Sequence, residues 1–333
     1  MDTMPRLSLH YDLRHPGAFG VSGKDLYAAA LDQIAWADAH GFTTVGFGEH
    51  HQSPDGYLPS PLLVAAAVGA RTARIRCQVS TILAPLYDPI RLAEDIAVVD
   101  NLLGGRLDVA IAAGYVRDDF DAFGKDYAGR GQYMEEIVPF LRAAWTGEPF
   151  EHEGRTVRVT PRPVQDPMPI LMGGSVPATI RRAARLADGY RPPMPGLWKV
   201  YREACAEVGK PDPGPLPRQG PIFLWVVASA DKNEDAWARL TPHILHQINS
   251  YAEWTHAAFG QASGPFVPTH DVTDVRQGGA YQVCTPEETV ELAASLGDDG
   301  DLRFSPLLAG IEPAWSNEML ALVERAVLPA FDR

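Results

Sequence analysis

The run VGFGEHHQSPDGYLPS, residues 45–60, sets Glu49, His50 and His51 side by side in a chain that has only ten histidines. A carboxylate followed by two imidazoles can move protons near neutral pH, or donate hydrogen bonds to a bound group. On an extended segment adjacent side chains point to opposite faces. One histidine can then face a reacting centre while the other packs beneath it. Two buried histidines satisfied by carbonyls would explain the pair equally well. A metal site would need further ligands, with His10 and Asp12 as the candidates. The zinc-hydrolase spacing is absent, so no metal is expected.

The second candidate is ILMGGSVPATIRRAARLADGY, residues 170–190. Gly173, Gly174 and Ser175 end an apolar run and lead into a helix-period segment. Glycines let backbone N–H groups approach an anion, the serine adds a hydroxyl, and the helix dipole favours negative charge. Gly-Gly also makes ordinary turns, but its place at a strand end favours a phosphate site. Arg91, Glu94 and Asp95 read as helix-surface ion pairs of small individual worth. Tyr115 reads as a core aromatic.

The elements that must position these groups alternate regularly. Strand-like runs are Leu7–Tyr11, Thr43–Phe47, Cys77–Leu83, Arg106–Gly114, Pro169–Ser175, the DGYRP run, Pro221–Ala228 and Leu302–Gly310. Helix-period segments lie between them. Ser60-Pro61 and Asp88-Pro89 read as caps followed by a first-turn proline. Thr285-Pro-Glu-Glu288 reads as a capping box. Eight short apolar strands alternating with helices predict a TIM (β/α)8 barrel, whose active site lies at the C-terminal strand ends. No G-x-G-x-x-G follows the first strand, which argues against a dinucleotide-binding sheet. The whole chain, 1–333, reads as one domain with an inserted β-hairpin near 148–167 and a long irregular loop near 260–284.

Composition narrows the partners. The chain is 46% hydrophobic and 21% charged, with a formal net charge of −13. That balance argues against nucleic acid and against an anionic membrane surface, but leaves room for a small anionic cofactor held by local N–H groups. Three scattered cysteines give no disulfide or zinc framework and fit a reducing compartment. The first residues lack a signal-peptide core, and the longest apolar runs are too short to span a bilayer. A cytoplasmic location is expected.

Taken in order and spacing, these segments resemble the bacterial-luciferase-like family of flavin-dependent monooxygenases. The carriers are GFTTVGFGEHH, STILAPLYDPIRLAEDIAVVDNLLGGRLDVAIAAG, DDFDAFG, ILMGGSVPATIRRAARLADGY, TPEETV and VLPAF, which together run through nearly the whole chain. The resemblance implies a TIM barrel with a flavin mononucleotide (FMN) pocket at the strand C-termini, and a homodimer. It makes His50 the active-site histidine beside the flavin. It implies a non-prolyl cis peptide between Ser80 and Thr81 beneath the ring. Gly173, Gly174 and Ser175 match the phosphate-binding turn, with Tyr133 assisting.

The sequence also departs from the family pattern. The arginine and cysteine of luciferase's fourth strand are Ala113 and Ala112 here, and PIFLWVVA lacks the arginine of sulfonate-cleaving relatives. Neither light emission nor sulfonate cleavage is therefore implied. The implied reaction takes reduced FMN from a separate flavin reductase, forms a peroxyflavin with oxygen, and oxygenates a small organic substrate. Phe47, Phe120 and Trp225 suggest a hydrophobic substrate, although core packing would explain them too. Alternatives are hydride transfer with a deazaflavin coenzyme, a non-catalytic flavin-binding subunit, and a metal-dependent barrel hydrolase.

Overall fold

The computed structural model describes residues 4–262 and 266–331. Its strands are β1 Arg6–Tyr11, β2 Thr44–Phe47, β3 Arg76–Leu83, β4 Leu107–Ala112, β5 Phe150–His152, β6 Arg155–Val157, β7 Ile170–Gly173, β8 Gly189–Arg191, β9 Phe223–Val226, β10 Tyr281–Cys284 and β11 Asp301–Phe304. Seven of them hydrogen-bond in the order β11–β1–β2–β3–β4–β7–β8. The registered pairs of this sheet are parallel, and helices separate successive strands, an α/β arrangement. β4 is almost wholly buried and all four residues of β9 are, as expected for strands covered on both faces.

Eight-strand closure is not formed among the described residues. β9 takes β10 as its ladder partner in a separate parallel pair, Phe223 opposite Tyr281 and Val226 opposite Cys284. The stretch near 260–284, expected as an irregular loop, thus contains β10. Four residues after Gly278-Gly279 are too few to show a period, and their strand state comes from the ladder with β9. The same stretch also holds the short helix Val272–Gln277, capped by Asp271. Phe150–His152 and Arg155–Val157 form an antiparallel hairpin that turns at Glu153-Gly154.

Local signals explain most helix starts. Asp88 accepts from the N–H groups of Ile90 and Arg91 and opens the helix Pro89–Leu102, which buries Leu92, Ile96 and Val99. Thr285 and Glu288 form the reciprocal capping box. Ser60 differs: it precedes Pro61 but makes no side-chain cap, because its own carbonyl receives the Leu63 N–H instead.

The chain divides into two compact units. The first comprises residues 1–46, 52–58 and 217–333, the second 47–51 and 59–216. The first is organised by a buried charge network. Arg14 is 0% exposed and donates to Asp55 at 2.6 Å. His246 reaches the same carboxylate oxygen at 2.7 Å. The Tyr57 N–H and the Ser53 hydroxyl bond its other oxygen. The rings of Tyr57, Tyr251 and Trp254 lie 4.7, 5.3 and 4.8 Å from the guanidinium, close enough for cation–π attraction. Asp12 accepts from the backbone N–H groups of Arg14 and Ala309. These contacts clamp Leu13 (φ 53°) and Ala309 (φ 45°), two non-glycine residues in the left-handed region.

His10 and Asp12 thus have structural surroundings in the first unit. Burial, aided by the charge of Arg303, pushes His10 down to about 3, so it stays neutral at physiological pH. Burial raises Asp12, against the pull of Arg14 and its backbone hydrogen bonds. Burial would raise Asp55 too. It is outweighed by the hydrogen bond from His246, the charge of Arg14 and the hydrogen bond from Ser53, and Asp55 lies below the usual carboxylate range.

Replacing Asp55 with Ala should cost about 3–5 kcal/mol, because it strands a buried guanidinium. Urea unfolding at neutral pH measures it. With its folded value depressed, Asp55 contributes stability above the unfolded carboxylate value of about 4, and that contribution is lost as pH falls below it. Wild-type and variant stabilities should therefore converge in acid.

Candidate active site

The second unit carries the chemistry-bearing segments. β2 ends at the fully buried Phe47, and the chain then presents Glu49, 3% exposed. Three donors converge on its carboxylate. His51 Nε2 lies 2.7 Å from Oε1, the Tyr87 hydroxyl donates to Oε1 at 3.0 Å, and the Leu83 backbone N–H donates to Oε2 at 3.0 Å. Leu83 is the last residue of β3, and Tyr87 follows the turn Ala84–Leu86. One buried carboxylate therefore ties the end of β2 to the end of β3. Burial, then the charge of Glu49, holds the Tyr87 phenol well above its ordinary value, so it remains a donor. An apolar cluster of Leu83, Leu86 and Phe120, with Tyr87 and Tyr127 against it, keeps water from the pair.

The two histidines have different surroundings. His51 is occupied by Glu49, and its ring meets Phe123 edge-on at 4.7 Å. His50 is half-buried, and its ring meets Tyr115 edge-on at 6.1 Å. Tyr115 is therefore more than core filling: it flanks His50, and its carbonyl accepts the Tyr127 hydroxyl at 3.1 Å.

The peptide between Ser80 and Thr81 is cis, as the family resemblance implied. The β3–β4 register slips there, passing from Ser80↔Ala110 to Ile82↔Ile111, so Thr81 has no ladder position. Both residues are half-buried in an otherwise apolar strand end.

Gly173 ends β7, and a Cβ added there would collide with the Thr81 methyl. The Gly-Gly-Ser turn and the Ser80–Thr81 step are thus in contact, and only glycine permits it. Gly174 has φ 143°, and a Cβ there would lie 2.5 Å from the Thr179 methyl. The Tyr190 hydroxyl fixes the turn by donating to the Gly174 carbonyl at 2.6 Å. The ten-residue helix Pro177–Leu186 then begins at Val176 with no side-chain cap. Pro177 has no N–H, and the Thr179 and Ile180 N–H groups bond the Val176 carbonyl, which leaves the Ala178 N–H of the first turn for another acceptor. Ser175 is half-buried next to them. This donor set, with no carboxylate in it, fits a phosphate group.

Tyr133 is half-buried, pushed up to about 12 by burial and the neighbouring Asp88 and Glu136 charges, and donates to the Tyr87 carbonyl at 3.3 Å. Lys125 reaches the same carbonyl at 3.4 Å. Phe47, Phe120 and Trp225 are each 1% exposed or less, so they are core and give no support to a hydrophobic substrate. Among the described residues no cluster of three His, Cys, Asp or Glu side chains could hold a metal ion. No described helix is long and apolar enough to cross a membrane.

Sequence reasoning missed Tyr87, Tyr190 and Asp119. Each sits in a segment quoted for other reasons, and each acquires its partner only through the fold. Asp119 is 2% exposed, its Oδ1 has no hydrogen-bond partner, and burial pushes it up to about 6.

Comparison with known proteins supplies a context for this arrangement. A family model described as luciferase-like monooxygenase matches residues 9–298. The oxygenase component of a flavin-dependent trigonelline monooxygenase from Acinetobacter baylyi is 31% identical over 153 residues, 44% of this chain and 42% of that protein. The chain thus matches less than half the length of that curated relative. Among solved structures, the monooxygenase RslO1 from Streptomyces bottropensis superposes with TM-score 0.73 at 22% identity, covering 98% of this chain and 99% of that one. The oxygenating constituent of 3,6-diketocamphane monooxygenase from Pseudomonas putida, in complex with FMN, gives 0.73 at 19%, covering 98% of each. A coenzyme F420 dependent tetrahydromethanopterin reductase from Methanopyrus kandleri gives 0.62 at 16%, covering 99% of each. At these identities the structural likeness concerns the fold.

Glu49→Ala should cost about 3 kcal/mol or more, because it leaves three buried or half-buried donors without their acceptor. Tyr87→Phe should cost about 1 kcal/mol, since Glu49 keeps two donors. Chemical denaturation of the two variants checks both, and equal costs would show that Glu49 is not the shared acceptor.

Proposed function

This chain belongs to the family of luciferase-like monooxygenases, and from that membership we propose that it is the oxygenase component of a two-component, FMN-dependent monooxygenase acting on a small organic substrate. The observation that carries the reading is the junction of the β3 and β7 ends. There the Ser80–Thr81 step lies against Gly173, next to a turn and helix start where the Ser175 hydroxyl and the Ala178 N–H suit a phosphate.

In this reading the turn at Gly174–Ser175 and the Ala178 N–H at the start of the helix Pro177–Leu186 hold the cofactor phosphate. Tyr133 adds a hydroxyl by turning from the Tyr87 carbonyl. Backbone donors supply what the net charge of −13 denies at long range. Ser80 and Thr81 form the floor for the planar ring. His50, held at the end of β2 by the Glu49 hub, faces the reacting centre and holds or moves a proton there. His51, bonded to Glu49, keeps the segment in place. When bound, the reduced flavin supplies the electrons that activate dioxygen, so that one oxygen atom enters the substrate and the other leaves as water. The trigonelline relative is an oxygenase component, which supports a separate reductase as the source of reduced flavin.

Anaerobic titration with reduced FMN and with a reduced deazaflavin, followed by admission of oxygen, tests the proposal. Saturable binding of reduced FMN and oxygen consumption that depends on substrate are expected. Binding of the deazaflavin alone, with no reaction with oxygen, would replace this reading by hydride transfer. His50→Ala should lower turnover by about 10²–10⁴-fold with an unchanged melting temperature. His51→Ala should mainly lower the melting temperature.

Ser175→Ala should weaken FMN binding about tenfold through loss of one hydrogen bond to a charged group. It is a cleaner probe than a side chain at Gly174, which would already collide with Thr179. An unchanged dissociation constant for Ser175→Ala, read by fluorescence titration, would remove that hydroxyl from the phosphate site.

A further inference from the structure

In the first unit β11, β1 and β2, the last up to Gly46, lie side by side and have two unlike faces. One face carries Leu7, Leu9, Tyr11, Val45, Leu302 and Phe304, each 4% exposed or less. Alternation puts Ser8, His10, Thr44, Gly46, Asp301 and Arg303 on the other. Apart from Ser8, these residues are half-buried. The polar side of the sheet therefore keeps accessible surface.

The ladder fixes the neighbours on that side. Ser8 stands opposite Arg303, and Leu9 opposite Phe304. His10, two residues beyond Ser8, is then the diagonal neighbour of Arg303 on the same face, about 7–8 Å away and within reach of a long side chain. Asp301 is already engaged, since its Oδ2 accepts the Ser8 hydroxyl at 3.0 Å. Towards β2, a Cβ at Gly46 would lie 3.1 Å from His10 Nδ1, so the glycine makes room for the imidazole. Among the described residues the Arg303 guanidinium has no carboxylate or hydrogen-bond partner, and neither ring nitrogen of His10 has one.

We propose that this face of the first unit is a binding site for a small organic carboxylate, with the Arg303 guanidinium as its ionic partner and His10 as a second hydrogen-bond donor. The inference goes beyond the function proposed above and does not depend on it, because every group named lies in one unit of the cofactor-free chain.

The chemistry of the groups selects the ligand. A partly buried guanidinium without an acceptor is costly, and such a group calls for a reason. Its fork of N–H donors matches both oxygens of a carboxylate. His10 is neutral, because burial and then the charge of Arg303 push it down to about 3, and a neutral imidazole donates from one nitrogen. Burial dominates although the side chain keeps accessible surface, so that surface borders a recess rather than open solvent. Asp301 lies two residues from Arg303 on the same face and opposes a second negative charge on the ligand. One cation, one neutral donor and one nearby carboxylate suit a monoanion better than a phosphate dianion.

The experiment titrates the cofactor-free chain with acetate, benzoate, neutral benzamide and inorganic phosphate, read by calorimetry and ligand-observed NMR at neutral pH. Saturable binding of acetate or benzoate is expected, with benzamide and phosphate at least about tenfold weaker than the better carboxylate. Arg303→Met should weaken the carboxylate on the order of 10–100-fold, and Arg303→Lys should restore part of the loss. His10→Phe, which keeps the ring and removes the donor, should weaken it about fivefold. The melting temperature of Arg303→Met should equal or exceed that of wild type, because the change removes an unpaired charge. Binding of neither carboxylate, benzamide binding as tightly as benzoate, or an Arg303→Met chain that binds like wild type would each overturn the site. Tighter binding of phosphate would overturn the assignment to a carboxylate. If Arg303→Met does not fold, Arg303 is structural and the proposal falls unless wild type still prefers benzoate to benzamide and Arg303→Lys weakens that preference.

Discussion

A single buried carboxylate organises the second unit. Glu49 would be expensive to desolvate alone, but it is compensated by a backbone N–H, a phenol and an imidazole. The backbone donor fixes where β3 ends relative to β2. The phenol fixes the turn that follows β3. The imidazole fixes His51, the residue that follows His50. The chain thus meets the cost of burial and gains geometry in one step: two segments distant in sequence are held to a common point with directional bonds. An apolar residue at position 49 would be cheaper to bury and would hold none of them.

The first unit meets a related problem with opposite charge. Arg14 is fully buried, with Asp55 against one nitrogen and three aromatic rings around the guanidinium. Its Nε and Nη2 have no hydrogen-bond partners. The π faces and the nearby Asp12 carboxylate, 3.8 Å from Nε, offset that deficit electrostatically. In return Asp12 bonds the Arg14 N–H, next to Leu13, and the Ala309 N–H, and so pins two backbone positions that sterics disfavour. In both units, polar groups inside the structure act as pins rather than as net sources of stability.

The overall acidity of the chain and the proposed affinity for a phosphate-bearing cofactor are compatible because they act at different ranges. Long-range potential is screened over about 8–10 Å in physiological salt. An oriented set of N–H groups at a helix start acts at contact distance and needs no excess of lysine or arginine. The absence of luciferase's fourth-strand arginine, with Ala113 in its place, makes those backbone donors the more important.

The sequence by itself determined whatever is encoded in local period and local chemistry. The alternation of apolar strand runs and helix segments made the α/β class legible, because burial on both faces leaves few polar residues in a strand such as β9. Asp88 and the Thr285–Glu288 box marked helix starts because caps are satisfied within three residues. The motif order pointed to the family, to His50 and to the Gly-Gly-Ser turn. Tertiary structure alone decided the rest. β10 is a strand because β9 lies beside it, and no four-residue pattern announces that. Phe47, Phe120 and Trp225 became core, since an aromatic residue is written the same way in a pocket and in an interior. Glu49 acquired its meaning from Leu83 and Tyr87, more than thirty residues away. Asp119 acquired its own from the burial of one oxygen atom. Hydrogen bonds and desolvation depend on which atoms meet in space, and that information enters only when the chain closes on itself.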